Sequence, residues 1–290
     1  SLRCARALLA GTPWGELKPN EEQAALDRAS SLAQDALACT ATLLASPQAA
    51  LAGAADVDAG GVGYGAAADA GDTSAPSPPL TSGGASLLRL SAAWRTGREA
   101  AAVADAVARA GDASTATLTS IGASLSSCLQ TCKHVGVLDA ATVALAAACA
   151  SLLARGDVSP RAWLAAWTAR ANADGQGLDD VVRRSAGVPC ELVALLRGEV
   201  AAVAGPCAAV GDAVAALVAT LANPSRPWPA RVHAAHALRV VVDDACLSTA
   251  TAFAAVPALA ACLAALGAPG WEVRNAAGLT AASLVRRVAG

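Results

Sequence analysis

Apolar residues recur along this chain at helical spacing, in runs of a few turns each, and glycine, proline and aspartate stand between the runs. Pro19-Asn20 followed by Gln23 reads as a helix start, with Asn20 placed to cap the first turn and Gln23 to reach back. Ala24, Leu26, Leu32, Leu37, Leu43 and Leu44 then supply an apolar face up to Ser46-Pro47. From Ala85 the pattern resumes and continues to the end. Breaks fall at Gly111-Asp112, Gly136, Gly156 to Pro160, Asp174 to Gly177, Gly187 to Pro189, Gly205-Pro206, Asn223 to Pro229 and Gly267 to Gly270. Ser159-Pro160 reads as an N-cap with proline at the first helical position.

Helices of this length, tight breaks and small side chains predict antiparallel helix pairs packed side by side. The expected architecture is all-α, an armadillo/HEAT-type helical-repeat solenoid. An internal echo supports stacking: residues 231–238 read RVHAAHAL and residues 273–280 read VRNAAGLT. Placing His233 on Asn275 aligns two alanines at an offset of 42 residues, within the period of such repeats. Each echo also has a tryptophan upstream, Trp228 and Trp271.

Three segments follow. Residues 1–50 are upstream solenoid helices, and residues 86–290 are the helical-repeat region, with its pattern expected to continue past Gly290. Between them, residues 51–85 are rich in glycine, proline and serine, with four aspartates and no basic residue. So few apolar side chains cannot offset the entropy of ordering, and this stretch is expected to be a disordered acidic insertion.

Composition narrows the picture. Hydrophobic residues are 55% of the chain but aromatics only 3%, so the apolar content is mostly alanine, leucine and valine. A β-sandwich or barrel would need many β-branched and aromatic strands. Methionine is absent, which suggests an internal piece of something longer. A net charge of −2 argues against a strongly basic nucleic-acid binder but leaves room for a local basic face. The nine cysteines form no CxxC pair and read as reduced, mostly buried thiols of a cytoplasmic protein.

The longest uncharged stretch, Ala245 to Glu272, is long enough to span a bilayer. However, it is mostly alanine, contains Ser248, Thr249, Pro257 and Gly270, and follows Asp243-Asp244, so buried solenoid helices fit better than a membrane segment. The opening SLRCARALLAG is too brief to be read as a targeting peptide.

Little here points to catalysis. His233 and His236 share a helix face and could hold a metal, but no third ligand lies nearby. GxSxG, GxGxxG and GxxxxGK[ST] are absent. No catalytic residue, metal or cofactor is therefore expected. Charge placement is more informative. Residues 223–290 carry six arginines (Arg226, Arg231, Arg239, Arg274, Arg286 and Arg287) against Asp243, Asp244 and Glu272, and Arg183-Arg184 precede them. Spaced arginines on a solenoid face can track a phosphate backbone, or they can be ordinary solvated positions.

The element Val182-Arg-Arg-Ser-Ala-Gly-Val-Pro189 resembles the RRSAGLP motif of the THADA family, large armadillo-type regulators of a tRNA 2′-O-methyltransferase. Other elements agree in the same order. Trp94 with Arg98-Glu99 resembles the family's Trp followed by a Lys-Glu helix. Gly122 and then Lys133-His134-Val-Gly136 resemble its Lys-His-Arg-Gly element. Arg231-Val-His233, Leu238-Arg239 and Asp243-Asp244 are similar to its RVHA helix, and Trp271-Glu-Val-Arg274-Asn275 with Leu284-Val-Arg286-Arg287 is similar to its WEVRN segment. The resemblance covers about residues 86–290, which then form a DUF2428-like region. Val188 stands where leucine is usual, and Val135 where arginine is usual, which weakens a phosphate role for Lys133-His134.

What the resemblance implies is a non-catalytic subunit that partners an FtsJ-like methyltransferase and presents tRNA for ribose 2′-O-methylation in the anticodon loop. Arg183 and Arg184 are the leading contact residues, since a guanidinium fork matches phosphate bidentately. Ser185 would cap the next helix, and Gly187 with Pro189 would fix the turn that aims the arginines. Lys133, His134, Arg231, His233, Arg239, Arg274 and Asn275 are second-rank candidates for tRNA or partner binding. Trp271 is expected between repeats, and Asn275 on an inter-repeat backbone group. The alternative is a general protein-interaction solenoid that never touches RNA. The RNA reading requires Arg183-Arg184 to share a continuous basic face with Arg231 and Arg274.

Overall fold

The computed structural model describes residues 19–45, 82–171, 187–203 and 207–289. All the regular structure among them is helical, as expected. The main helices are α1 (Pro19–Ala45), α2 (Ser82–Arg109), α3 (Thr115–Thr131), α4 (Val135–Ala154), α5 (Ser159–Ala171), α6 (Gly187–Ala202), α7 (Ala208–Ala222), α8 (Trp228–Asp243), α9 (Ala255–Ala265) and α10 (Trp271–Ala289), with short helical turns over 245–254. Most of the stretch read as an insertion lies outside the described residues, but α2 begins inside it, at Ser82.

Local chemistry sets the helix ends. Ser114 caps α3 by accepting a bond from the Thr117 amide at 3.1 Å. At the end of α4, Gly156 takes a φ of 78°, and the amides of Gly156 and Asp157 turn back onto the carbonyls of Leu153 and Leu152. Two starts differ from expectation. The carboxylate of Asp157, one residue before Val158, accepts the Ser159 amide at 2.7 Å, so aspartate holds the start of α5 where Ser159 was expected to. Helix α1 already includes Pro19 and Asn20, and Gln23 donates forward to Asp27 at 2.9 Å instead of reaching back.

The helices form two layers. Helices α2, α4, α6, α8 and α10 lie side by side and run the same way. Trp94 on α2 meets His134 at the start of α4, while Ser151 near the end of α4 bonds the Ala108 carbonyl near the end of α2, and Gly187 and Gly198 of α6 lie against Leu138 and Cys149 of α4. Arg197 on α6 meets Asp244 at the end of α8, and the Thr280 hydroxyl of α10 reaches the Ala235 carbonyl of α8 at 2.9 Å. Antiparallel partners occupy the second layer. In the α5–α6 pair, for example, Arg161 bonds Glu199 while Arg170 bonds Glu191.

The two echoed sequences are therefore neighbours, α8 packed on α10. Their contact register of 45 residues exceeds the sequence offset of 42, a slide of just under one turn. The architecture is a helical solenoid.

Small residues set the spacing within the first layer. Ala101, Ala104 and Ala108 of α2 and Ala141, Ala144 and Ala148 of α4 are fully or nearly fully buried. Gly198 of α6 rests on Cys149 and on the backbone of α4, so close that a β carbon would collide.

Two stretches among the described residues are long and apolar enough to cross a membrane, Val135–Ala154 and Ala245–Ala265. Helix α4 is packed between α2 and α6, a core position. The second stretch is broken into short turns before an 11-residue helix.

Candidate functional site

The shared direction of the first layer gives the solenoid two unlike edges. One edge collects the starts of α4, α6, α8 and α10 and the connections that lead into them. The other collects the ends of those helices. The antiparallel second layer ends its helices on this edge and starts them on the other, so backbone dipoles offset one another and the difference between the edges rests on side chains.

The charged side chains differ between the edges. On the helix-end edge, arginines are bonded to acids or to orphan carbonyls. Arg109 pairs with Asp105 at 2.8 Å, and Arg161 with Glu199 at 2.9 Å. Arg197 grips Asp244 at 2.5 Å, and that carboxylate holds its guanidinium above the ordinary range. Arg155 reaches across to the Gly111 carbonyl at 2.8 Å and to that of Ala113. The Arg155 and Arg197 contacts tie neighbouring helices of the first layer together, and the carboxylates offset the charge of Arg109, Arg161 and Arg197.

On the helix-start edge Arg170 is likewise bonded to Glu191, but the group around Trp94 is more open. Trp94 of α2 and His134, the residue before α4, stack with centroids 4.9 Å apart and planes 9° from parallel. The guanidinium carbons of Arg95 and Arg98 lie 5.6 and 5.8 Å from the indole centroid. Lys133 is exposed beside them. The only acid joined to this group among the described contacts is Glu99, bonded to Arg98 at 3.0 Å. Beneath His134, its amide points to the Cys132 sulfur at 3.5 Å. The hydrogen bond from the Cys128 thiol pulls Cys132 down to about 7, and the same contact, with burial, pushes Cys128 up.

Farther along this edge, Arg274 is exposed but its guanidinium donates to the carbonyls of Ala268 and Pro269 at 2.8 and 2.7 Å, closing the turn into α10. Asn275 is exposed, so it does not fill the buried inter-repeat role expected of it. Trp271 is 63% exposed rather than wedged between repeats, because it opens α10 directly after Gly270 with its ring on the outside.

Several expected site residues belong to the core. Arg231 is only 7% exposed, and its Nε donates to the Leu221 carbonyl at 3.0 Å, satisfying the end of α7. It cannot join a basic surface. His233 is 4% exposed and packs against the Trp167 ring, with centroids 6.1 Å apart. Arg239 lies toward the helix-end edge and pairs with Asp243 at 3.7 Å. Gly187 is the first residue of α6 rather than a turn, and it is buried against the backbone of Leu129. The continuous face expected through Arg231 is therefore not formed. Arg183, Arg184 and Ser185 lie outside the described residues.

The sequence reading passed over Glu191 and Glu199, both at least 98% buried. Glu191 accepts from Ser126 at 2.5 Å, Gln130 at 3.0 Å and Arg170 at 2.8 Å, so one carboxylate clamps α3, α5 and α6. It also passed over Arg95, whose signal was its place next to Trp94 and one turn from Arg98. No group of three or more metal-ligating side chains occurs among the described residues. His236, one turn from the buried His233 on α8, has its imidazole pushed below the ordinary value by burial and by Arg239.

A two-layer helical solenoid with exposed cations gathered around one ring stack is the class these features define. Residues 25–272 match the THADA/TRM732, DUF2428 family, most of the chain, and the protein belongs to that family. Neither a curated protein nor a solved structure matches it significantly.

Proposed function

We propose that this protein is a non-catalytic scaffold subunit that works with an FtsJ-like methyltransferase, presenting tRNA for 2′-O-ribose methylation in the anticodon loop. Membership of the THADA/TRM732 family carries this reading, since it associates the chain with the regulation of tRNA modification. A cluster of exposed cations supplies a physical route. Arg95, Arg98 and Lys133 gather around the Trp94–His134 stack, and RNA is held largely through phosphate and 2′-OH contacts. The repeat class we assign is armadillo/HEAT, and the compartment cytoplasmic.

Within this reading Arg183 and Arg184 remain the leading contacts, joined by Lys133, His134, Arg274 and Asn275. Their connection leads into α6 at Gly187.

The test replaces Arg183 and Arg184 by alanine in the full-length protein in cells. Ribose methylation in the anticodon loop is read by mass spectrometry and methyltransferase association by pull-down. Lost methylation with the partner still bound supports contact with tRNA. Lost methylation together with lost binding makes the element a docking site for the enzyme. Unchanged methylation at normal protein levels favours a general interaction solenoid.

A further inference from the structure

We infer that the Trp94–His134 stack, with Arg95, Arg98 and Lys133 around it, is a binding step for one unpaired ribonucleotide. This deepens the function proposed above and rests on it.

The composition of the group is the first argument. Three cations meet one carboxylate, Glu99, and that acid is bonded to Arg98 alone among the described contacts. Arg95 and Lys133 meet no acid or carbonyl among the described contacts, whereas Arg155, Arg161 and Arg197 on the other edge are each bonded to one. The side chains of Arg95 and Lys133 are exposed.

The plate is the second argument. An acidic peptide asks only for positive charge. A nucleotide also has a flat base and ribose, which bind well against a rigid aromatic surface. Indole and imidazole lie face to face, 9° from parallel, so a base stacks on an outer face of the pair, which is held from both sides of the repeat. Trp94 comes from the middle of α2 and His134 from the turn into α4. Gly136 lies beside the imidazole, where a β carbon would make an ordinary contact 3.4 Å from its Cε1.

The third argument is the placement of the histidine. Its Nδ1 is buried and finds no partner among the described residues, so Nε2 is the ring nitrogen left to meet a phosphate, a ribose hydroxyl or a base carbonyl beside Lys133. His134 makes no side-chain cap on α4, and its carbonyl takes the Val137 and Leu138 amides, which leaves those of Val135 and Gly136 at that turn.

The test measures affinity of the full-length protein for an anticodon stem-loop RNA across a range of salt. The Arg95→Ala/Arg98→Ala/Lys133→Ala variant should bind at least tenfold more weakly, and its log–log salt slope should fall by about 1.4, the share of the two phosphates that flank one nucleotide on a single strand. His134→Ala should lose about fivefold or more in affinity with little change in slope, because a stacking and hydrogen-bonding contact releases no counterions.

Arg286→Ala/Arg287→Ala, on the other edge, removes comparable charge and should bind as wild type. Thermal melts confirm that each variant folds. If wild type binds and the triple variant binds equally well, the inference falls while the proposed function stands. If His134→Ala is silent, the plate is not a nucleotide contact. Displacement of the RNA by polyglutamate at matched charge would make this an acidic-peptide site instead. Failure of wild type itself to bind RNA would overturn the proposed function and, with it, this site.

Discussion

Gly187, the first residue of α6, rests against the backbone carbonyl of Leu129 in the last turn of α3, with the Leu138 side chain on its other flank. The glycine lies in the element that resembles RRSAGLP, and its role in the fold is close approach. A backbone oxygen cannot move aside as a side-chain tip can. We expect Gly187→Ala to cost about 1–3 kcal/mol and Gly187→Val more, read as a fall in melting temperature. A Gly187→Ala protein as stable as wild type would show that α3 and α6 are not in this contact.

Glu191 makes a second, separable prediction. Its carboxylate is 1% exposed and accepts three bonds from two neighbouring helices. Removing it leaves Ser126, Gln130 and Arg170 without their common acceptor, so Glu191→Ala should destabilise by about 3–5 kcal/mol. Arg170→Ala should cost less, about 1–3 kcal/mol, because that guanidinium is half exposed and the carboxylate keeps its two other donors. Urea unfolding of the two variants tests the order. Equal losses would mean that Ser126 and Gln130 contribute little.

Arg231 distinguishes a structural arginine from a binding one. Its bond to the Leu221 carbonyl closes the end of α7, ten residues earlier in the chain. Arg231→Ala should lower stability by about 1–3 kcal/mol and leave the salt dependence of RNA binding unchanged. A reduced salt slope without loss of stability would put this arginine on the surface after all.

The helix inventory was legible because its punctuation is local. Gly111 and Gly156 are the two positive-φ glycines among the described residues, and both end helices at breaks read from the sequence. The stacking order was partly legible, through the RVHAAHAL and VRNAAGLT echo. The register was not, because it depends on contacts such as Gly198 on Cys149, and one alanine-rich face resembles another.

Site residues were harder. RVHAAHAL looks amphipathic, yet Arg231 and His233 are interior, because α8 is enclosed by α6, α7 and α10 and has little outer face to spare. Trp94 and His134 are 40 residues apart, and only the parallel stacking of α2 and α4 joins them. Val135, where the family's arginine is usual, is 68% exposed, so the missing charge is a surface one and Arg95 and Arg98 lie close by on α2.

His236 gives the fold a pH dependence whose sign follows from its surroundings. Burial and the neighbouring Arg239 both disfavour the imidazolium, so its folded value lies below the ordinary 6.5. The unfolded chain therefore binds the proton more readily. Stability contributed by the neutral ring is fully present above about pH 6.5 and is lost as pH falls toward the folded value. Melting temperatures measured between pH 7 and pH 5.5, above the range in which ordinary carboxylates titrate, should fall for wild type. His236→Gln, which keeps a polar side chain of similar reach but cannot be protonated, should flatten that slope. If wild type and His236→Gln decline in parallel, another group carries the dependence. If wild-type stability rises on acidification, the imidazolium is favoured in the fold and the sign is reversed.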